Sequence, residues 1–236
     1  MTDTTVRREI MTATFEALSE HGYAELTAQD IADRTGKSKS LLFYHYGSKE
    51  DLVAEFVEDF LERFDERVEE TRSLAPVERL ATFVDWFLTD PSDGHDDREA
   101  FHVAMLELRV QAVHNDRFRE LLGESDDRLR EALEEILAAG IEEGQFVEHD
   151  PEALVPLLIA AFDGARIRQV TTGRDEYLSE VRRGIVEDLV DDVLADGVEF
   201  PPPGILEGVA DGDRANDEDG SQDGDSTDEG VTDDSA

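Results

Sequence analysis

The stretch TGKSKSLLFYHYGSKEDL, residues 35–52, contains every lysine in the chain: Lys37, Lys39 and Lys49. The whole sequence of 236 residues carries a formal charge of −38 at pH 7, from 60 Asp and Glu against 22 Lys and Arg. Net charge governs solubility and self-repulsion rather than fold, so a local exception says more than the overall acidity. Between Arg34 and Lys49 there are four basic residues and no acidic one, interleaved with Phe43, Tyr44, His45 and Tyr46. The local grammar of this window is helical. Gly36 marks a break, Ser38 is placed to cap a short helix reaching Tyr46, and Gly47 closes it. Ser48 then caps a longer helix with Asp51 three residues on, whose stripe is Leu52, Phe56, Phe60, Phe64 and Val68.

Upstream, Thr27 and Asp30 have capping-box spacing, and the short helix they open turns Ala28, Ile31 and Ala32 inward. Before that, Val6, Ile10, Ala13 and Ala17 recur at three and four, with Phe15 and Leu18 widening the stripe. Gly22 fits the position just past that helix, with Tyr23 as an apolar clasp. Two short helices joined by a turn behind a longer one make a helix-turn-helix, which lays its second helix in the DNA major groove. At about 100° per residue, a buried Leu42 puts Ser40 and Tyr44 outward, Leu41 and Phe43 beside them, and Lys39 at the edge. Lys49 falls in the first turn of the next helix, where the helix dipole disfavours a cation and free N–H groups attract anions. Either a phosphate completes that site, or Glu50 and Asp51 satisfy the dipole and Lys49 points to solvent.

The run GYAELTAQDIADRTGKSKSLLFYHYGSKEDL, residues 22–52, resembles without a gap the DNA-binding signature of the TetR family of transcriptional regulators. The resemblance rests on Asp30-Ile31-Ala32, Ser38-Lys39, the run Leu42 to His45, and Ser48-Lys49-Glu50. It implies an all-α fold of about nine helices, with a three-helix DNA head and a variable body that binds ligand and dimerises. Carried over by position, Thr27 resembles a phosphate-contacting cap, and Gln29 stands where relatives reach a base or phosphate. Lys39 and Ser40 match positions near base edges, Tyr44, His45 and Lys49 match phosphate contacts, and Lys37 is a further DNA-binding residue, either by direct contact or by diffuse charge alone. Three positions depart from the family pattern. Lys37 replaces an apolar residue, Ser40-Leu41 stands for Gly-Thr, and Phe43 stands for a tyrosine that donates to phosphate. The expected domains are a head at 1–47, a body at 48–200 and a disordered acidic tail at 201–236.

Further helices are predicted near 76–89, 98–114, 117–143, 151–172 and 175–196, with no convincing alternating segment. Two stripes, Leu154, Leu158, Ala161, Ala165 and Leu178, Val181, Ile185, Leu189, resemble the family's dimer-forming last helices. The expected partners are therefore a second copy, operator DNA and a small-molecule effector of unknown identity. Phe83, Trp86, Phe87, Phe101, His102, Met105, Arg109 and Phe162 are the pocket candidates, and the same pattern also suits plain core. Aromatic lining would suit an apolar or cationic ligand. No cofactor and no catalytic residue is expected, because neither a Gly-rich phosphate loop after a strand nor a nucleophile elbow occurs. DGHDD, residues 93–97, lacks the spacing of a metal site and reads as a polar loop. The chain has no cysteine, no secretory signal at its first residues and no apolar run of membrane-spanning length, so a cytoplasmic protein is expected. The acidity reads either as adaptation to a halophile's saline cytoplasm or as attraction to a cationic partner. The functional reading is a dimeric repressor released by its effector. An activator or ligand-independent regulator of the same fold is the nearer alternative, an α-helical enzyme the remoter one.

Phosphate contacts lose affinity steeply as salt rises, and in molar salt charges are screened within about 3 Å. The expected outcome is a shallow fall of log K against log salt for operator binding, because base contacts, DNA shape and paired heads carry the affinity. Fluorescence anisotropy across a salt series up to molar concentration checks this.

Overall fold

The structure, a computed structural model, describes residues 2–89, 97–174 and 176–204. Among these it is all helical apart from one isolated antiparallel bridge between Phe146 and Leu194. The first three helices are α1 (Thr2–Glu25), α2 (Ala28–Thr35) and α3 (Lys39–Tyr46), and the long α4 (Lys49–Glu70) follows. A short 3₁₀ turn leads to α5 (Pro76–Leu88), then α6 (Asp97–Ala112), α7 (Asp116–Glu142), α8 (Pro151–Thr172) and α9 (Glu176–Ile185).

The punctuation falls where the sequence puts it. Gly22 adopts φ 68°, so α1 runs unbroken to that point and adds one further turn beyond it. Thr27 and Asp30 make the full capping box of α2, and Ser38 and Ser48 cap α3 and α4. At Ser48 the box is only half made. Its hydroxyl accepts from the Asp51 amide and donates to the Asp51 carboxylate, while its own amide donates to Tyr46 O at 2.9 Å. The expected last helix of 175–196 is corrected in its second half. It is α-helical to Ile185, then passes through a π turn, Val186–Val190, and a 3₁₀ turn, Asp191–Val193. The chain after it pairs with the turn behind α7, with Ala195 N donating to Gln145 O at 2.9 Å and Val147 N to Val193 O at 2.8 Å.

Two apolar clusters hold the helices. One gathers Met11 and Leu18 of α1, Ile31 of α2, Leu42 of α3, Leu52 and Phe56 of α4, Leu108 of α6 and Phe118 of α7. The N-terminal helices therefore share their core with the body. The other joins α5, the second half of α7, α8 and α9 around Phe83, Leu133, Leu158 and Phe162. The two predicted dimer stripes pack largely within their own chain. Leu154, Leu158, Ala165, Leu178 and Ile185 are buried in this second cluster, with Ala161, Val181 and Leu189 packed against it. The reason is that α8 is apolar nearly all round, so its best periodic stripe is the one its own chain covers first. The face it leaves outward carries Leu157, 55% exposed. DGHDD and the tail beyond residue 204 lie outside the described residues, except that Asp97 opens α6.

Gly140 in α7 meets Phe146 so closely that a Cβ there would lie 2.0 Å from the ring, whereas a Cβ on Gly123 in the same helix meets nothing within 4 Å. Gly140→Ala should therefore destabilise by about 1–3 kcal/mol through overpacking. Gly123→Ala should stabilise by about 0.5–1 kcal/mol. Urea unfolding of the two variants beside the wild type measures both.

Candidate functional site

An eight-residue helix is too short to hold its shape unaided, and α3 is positioned by its neighbours. Leu42 is fully buried against them, which fixes the rotation of the helix about its axis. Lys39, Ser40, Leu41, Phe43, Tyr44 and His45 are left exposed, with Tyr44 at 83%. The rings of Tyr44 and His45 meet edge to face at 5.3 Å, and the Lys39 ammonium lies 5.5 Å from the centre of the Phe43 ring. Thr27 and Gln29, at the start of α2, are exposed as well. Thr27 donates its amide and its hydroxyl to Asp30 Oδ2, each at 2.7 Å. The hydroxyl bond, then the amide bond, hold the Asp30 carboxyl below its ordinary value. Gln29 donates its side-chain amide to Asp33 at 2.6 Å.

The other cations of the basic window are occupied. Lys37 Nζ reaches Glu9 of α1 at 2.7 Å. Arg34 pairs with Glu20 and lies 3.9 Å from Glu16. Lys49 Nζ donates to Tyr23 O at 2.8 Å and lies over the Tyr23 ring, 4.5 Å from its centre. The window is free of acid along the chain, and the fold brings carboxylates of α1 to it. Among the described residues Lys39 is the lysine whose ammonium meets no carboxylate or carbonyl.

A second feature lies in the body. A partly open cavity of about 90 Å³ is lined by α4, α5, α6, α7 and α8. Of the predicted pocket residues, Phe87, Phe101, His102, Met105 and Arg109 line it. Phe83, Trp86 and Phe162 are not among its lining residues. Phe83 is buried in the core, 4.8 Å from Trp86 and 6.1 Å from Phe64 ring to ring, and Phe162 is stacked behind Phe87 at 4.8 Å. Phe60 and Phe64 of α4 also line the cavity, as do Asp126, Asp163 and Arg166. The two phenylalanines were visible in the sequence as part of a core stripe. The two aspartates sit on α7 and α8 with no local pattern to distinguish them from some sixty acidic residues.

These charged groups form one network. Arg109 donates to Asp126 at 2.8 and 3.3 Å and lies 3.7 Å from Asp163. Burial works to lower the Arg109 pKa, but the bonds to Asp126 and the charge of Asp163 outweigh it and hold the guanidinium above its ordinary value. Burial raises Asp163, and the Asp126 charge adds to that against the pull of Arg109. Arg166 is buried and spans from the cavity to the end of α5, donating to Phe87 O at 2.6 Å and to Gln169 at 2.7 Å. Among the described residues no helix is long and apolar enough to cross a membrane.

Comparison with known proteins bears directly on this geometry. Residues 10–56 match the pattern described as bacterial regulatory proteins of the tetR family. Residues 76–195 match that of the BetI-type transcriptional repressor, C-terminal. The chain belongs to the TetR family of transcriptional regulators. It is 30% identical over 179 residues to the HTH-type transcriptional repressor AcnR of Corynebacterium glutamicum, covering 75% of this chain and 89% of that one. The structure of a TetR transcription regulator from Haloarcula marismortui is 36% identical, with a TM-score of 0.72 over 81% of this chain and 99% of the other. A putative regulator from Saccharomonospora viridis, solved in complex with choline, shares the fold at 24% identity, with a TM-score of 0.69 and the same two coverages. This TetR-family chain is thus a DNA-binding transcriptional regulator, and its relatives are regulators rather than enzymes.

The raised Asp163 pKa has a definite sign in stability. Between the ordinary aspartate value and the raised one, the folded chain keeps more of the proton on this carboxyl than the unfolded chain does. Its contribution is therefore largest at low pH and declines as pH rises from the ordinary aspartate value through the raised one. Asp163→Asn removes that decline. Melting temperatures of both proteins between about pH 4 and about pH 7 should show the variant gaining on the wild type as pH rises.

Proposed function

We propose that this TetR-family regulator is a dimeric repressor that leaves its operator when a small organic ligand enters the cavity between α4 and α8. The observation that carries the reading is Tyr44, an aromatic residue 83% exposed on a helix that also presents Lys39, Ser40 and His45. A phenol left in water gives a folded monomer nothing, whereas a duplex offers it phosphate and base edges. In this reading residues 1–47 are the DNA head, with Thr27 and Gln29 joining the contacts of α3. Residues 48–200 are the ligand-binding and dimerising body, and 201–236 a solvating tail. The outward face of α8, with Leu157, meets its copy and sets the two heads about 34–36 Å apart, on successive major grooves.

For the ligand we favour a compact cation. Phe60, Phe64, Phe87 and Phe101 line the cavity, and Asp126 and Asp163 stand beside Arg109, so a cationic guest would compete with that guanidinium for their charge. The choline in the Saccharomonospora viridis structure, which shares the fold, supports this choice. Release is then a population shift, with the ligand favouring a head spacing unsuited to the operator. The absence of a membrane-crossing helix among the described residues supports a cytoplasmic site of action. The net charge of −38 supports a saline cytoplasm, as in a halophile.

The test is a mobility shift on a duplex selected from a random pool by the wild-type protein. We expect a two-fold symmetric site, release on adding choline, and for Tyr44→Ala at least a tenfold loss of affinity with the melting temperature unchanged. A complex that persists through choline and a panel of related ammonium compounds would instead favour a ligand-independent regulator.

A further inference from the structure

Lys49 and Glu107 hold the same residue from opposite sides. The residue is Tyr23, one position past the left-handed Gly22 that ends the main run of α1. Its amide donates to Glu107 Oε2 of α6 at 2.5 Å. Its carbonyl accepts from Lys49 Nζ of α4 at 2.8 Å. Its ring lies under the same ammonium at 4.5 Å and meets Phe118 of α7 edge to face at 5.2 Å. Three body helices therefore converge on one residue at the foot of the DNA head. Gly22 makes the approach possible, since a Cβ there would lie 2.8 Å from the Glu107 carboxylate.

We propose that Lys49 is a positioning residue for DNA recognition, acting through Tyr23 and together with Glu107, and that it is not a phosphate ligand. The resemblance to the family assigns its ammonium to a phosphate, yet here one of its three N–H groups is given to a carbonyl and the ammonium rests on a π face, so reaching a phosphate would mean leaving both or sharing the charge. Both are part-buried and so screened from salt less than an exposed phosphate would be. The clamp also explains a lysine at the dipole-disfavoured first turn of α4: its charge is spent on the neighbouring chain end, away from its own helix terminus. Lys39, with only the Phe43 ring beneath it, remains free to meet the duplex. The proposal rests on the dimeric operator-binding reading, because a clamp on head angle matters only where two heads must match two half-sites.

Phosphate contacts and positioning contacts leave different traces in salt. Removing one phosphate contact flattens the slope of log K against log salt by about 0.9 and weakens binding to all sequences alike. Loosening a head leaves the slope alone and lowers the ratio of operator to random-sequence affinity. The experiment measures both quantities for the full chain, with Lys39→Met, Lys49→Met, Glu107→Leu and the Lys49→Met/Glu107→Leu pair. Lys39→Met should flatten the slope and weaken both kinds of DNA. Lys49→Met and Glu107→Leu should each keep the wild-type slope and cut the specificity ratio about fivefold or more. The pair should lose less than the product of the single losses, since both act on one residue. A slope flattened by one ion in Lys49→Met overturns the proposal, as does an unchanged specificity ratio in Glu107→Leu. Should Lys49→Met fail to fold, Glu107→Leu and Tyr23→Leu, which removes the π face, decide it by the same two readouts. A wild-type protein that selects no duplex overturns the operator-binding reading itself, a result distinct from either failure of the clamp.

Discussion

What α3 offers to solvent depends on the burial of one side chain, Leu42. The helix is eight residues long and has a single fully buried anchor. That anchor sits in a cluster built from α1, α2, α4, α6 and α7, so the rotation of α3 is set by the packing of half the molecule. With Leu42 inward, the phenol at position 44 has nowhere to go but out. Capping refines the arrangement without creating it. Thr27, Ser38 and Ser48 supply start signals to three successive helices, each typically contributing about 1 kcal/mol, and their spacing leaves only short links between them.

Much of this was legible before any coordinates, and the reason is that it is local. Capping residues, Gly22, Gly36 and Gly47, and the three-four spacing of apolar side chains act within a turn or two of helix. Reading them placed α2, α3 and the start of α4 to the residue. What sequence could not supply was partnership at a distance. The acid-free window around Lys39 meets Glu9, Glu16 and Glu20 in space, because α1 packs alongside it. The stripes on α8 and α9 have the right period for an interface, and period alone does not say which surface covers them. Phe60 and Phe64 looked like core and prove to face a cavity as well. Asp126 and Asp163 are 37 residues apart and converge only because α7 and α8 both run beside the end of α6 carrying Arg109.

The lysine cluster illustrates the same limit. Three like residues within thirteen positions invite one explanation, yet the fold gives them three different surroundings. Lys37 ties the turn to α1, Lys49 ties α4 to the end of α1, and Lys39 stands over an exposed ring. Of these three lysines, Lys39 is the one kept away from carboxylates and carbonyls, on the helix whose outward residues have no other evident use.

One consequence concerns Arg166. Its guanidinium touches the cavity and at the same time donates to the Phe87 carbonyl in the last turn of α5 and to the Thr89 carbonyl just beyond it. A guest that competed for this arginine would be bidding against a helix terminus, and two part-buried carbonyls would lose one of their donors. The cavity wall and the end of α5 are, in that sense, a single circuit, and filling one is felt as fraying of the other.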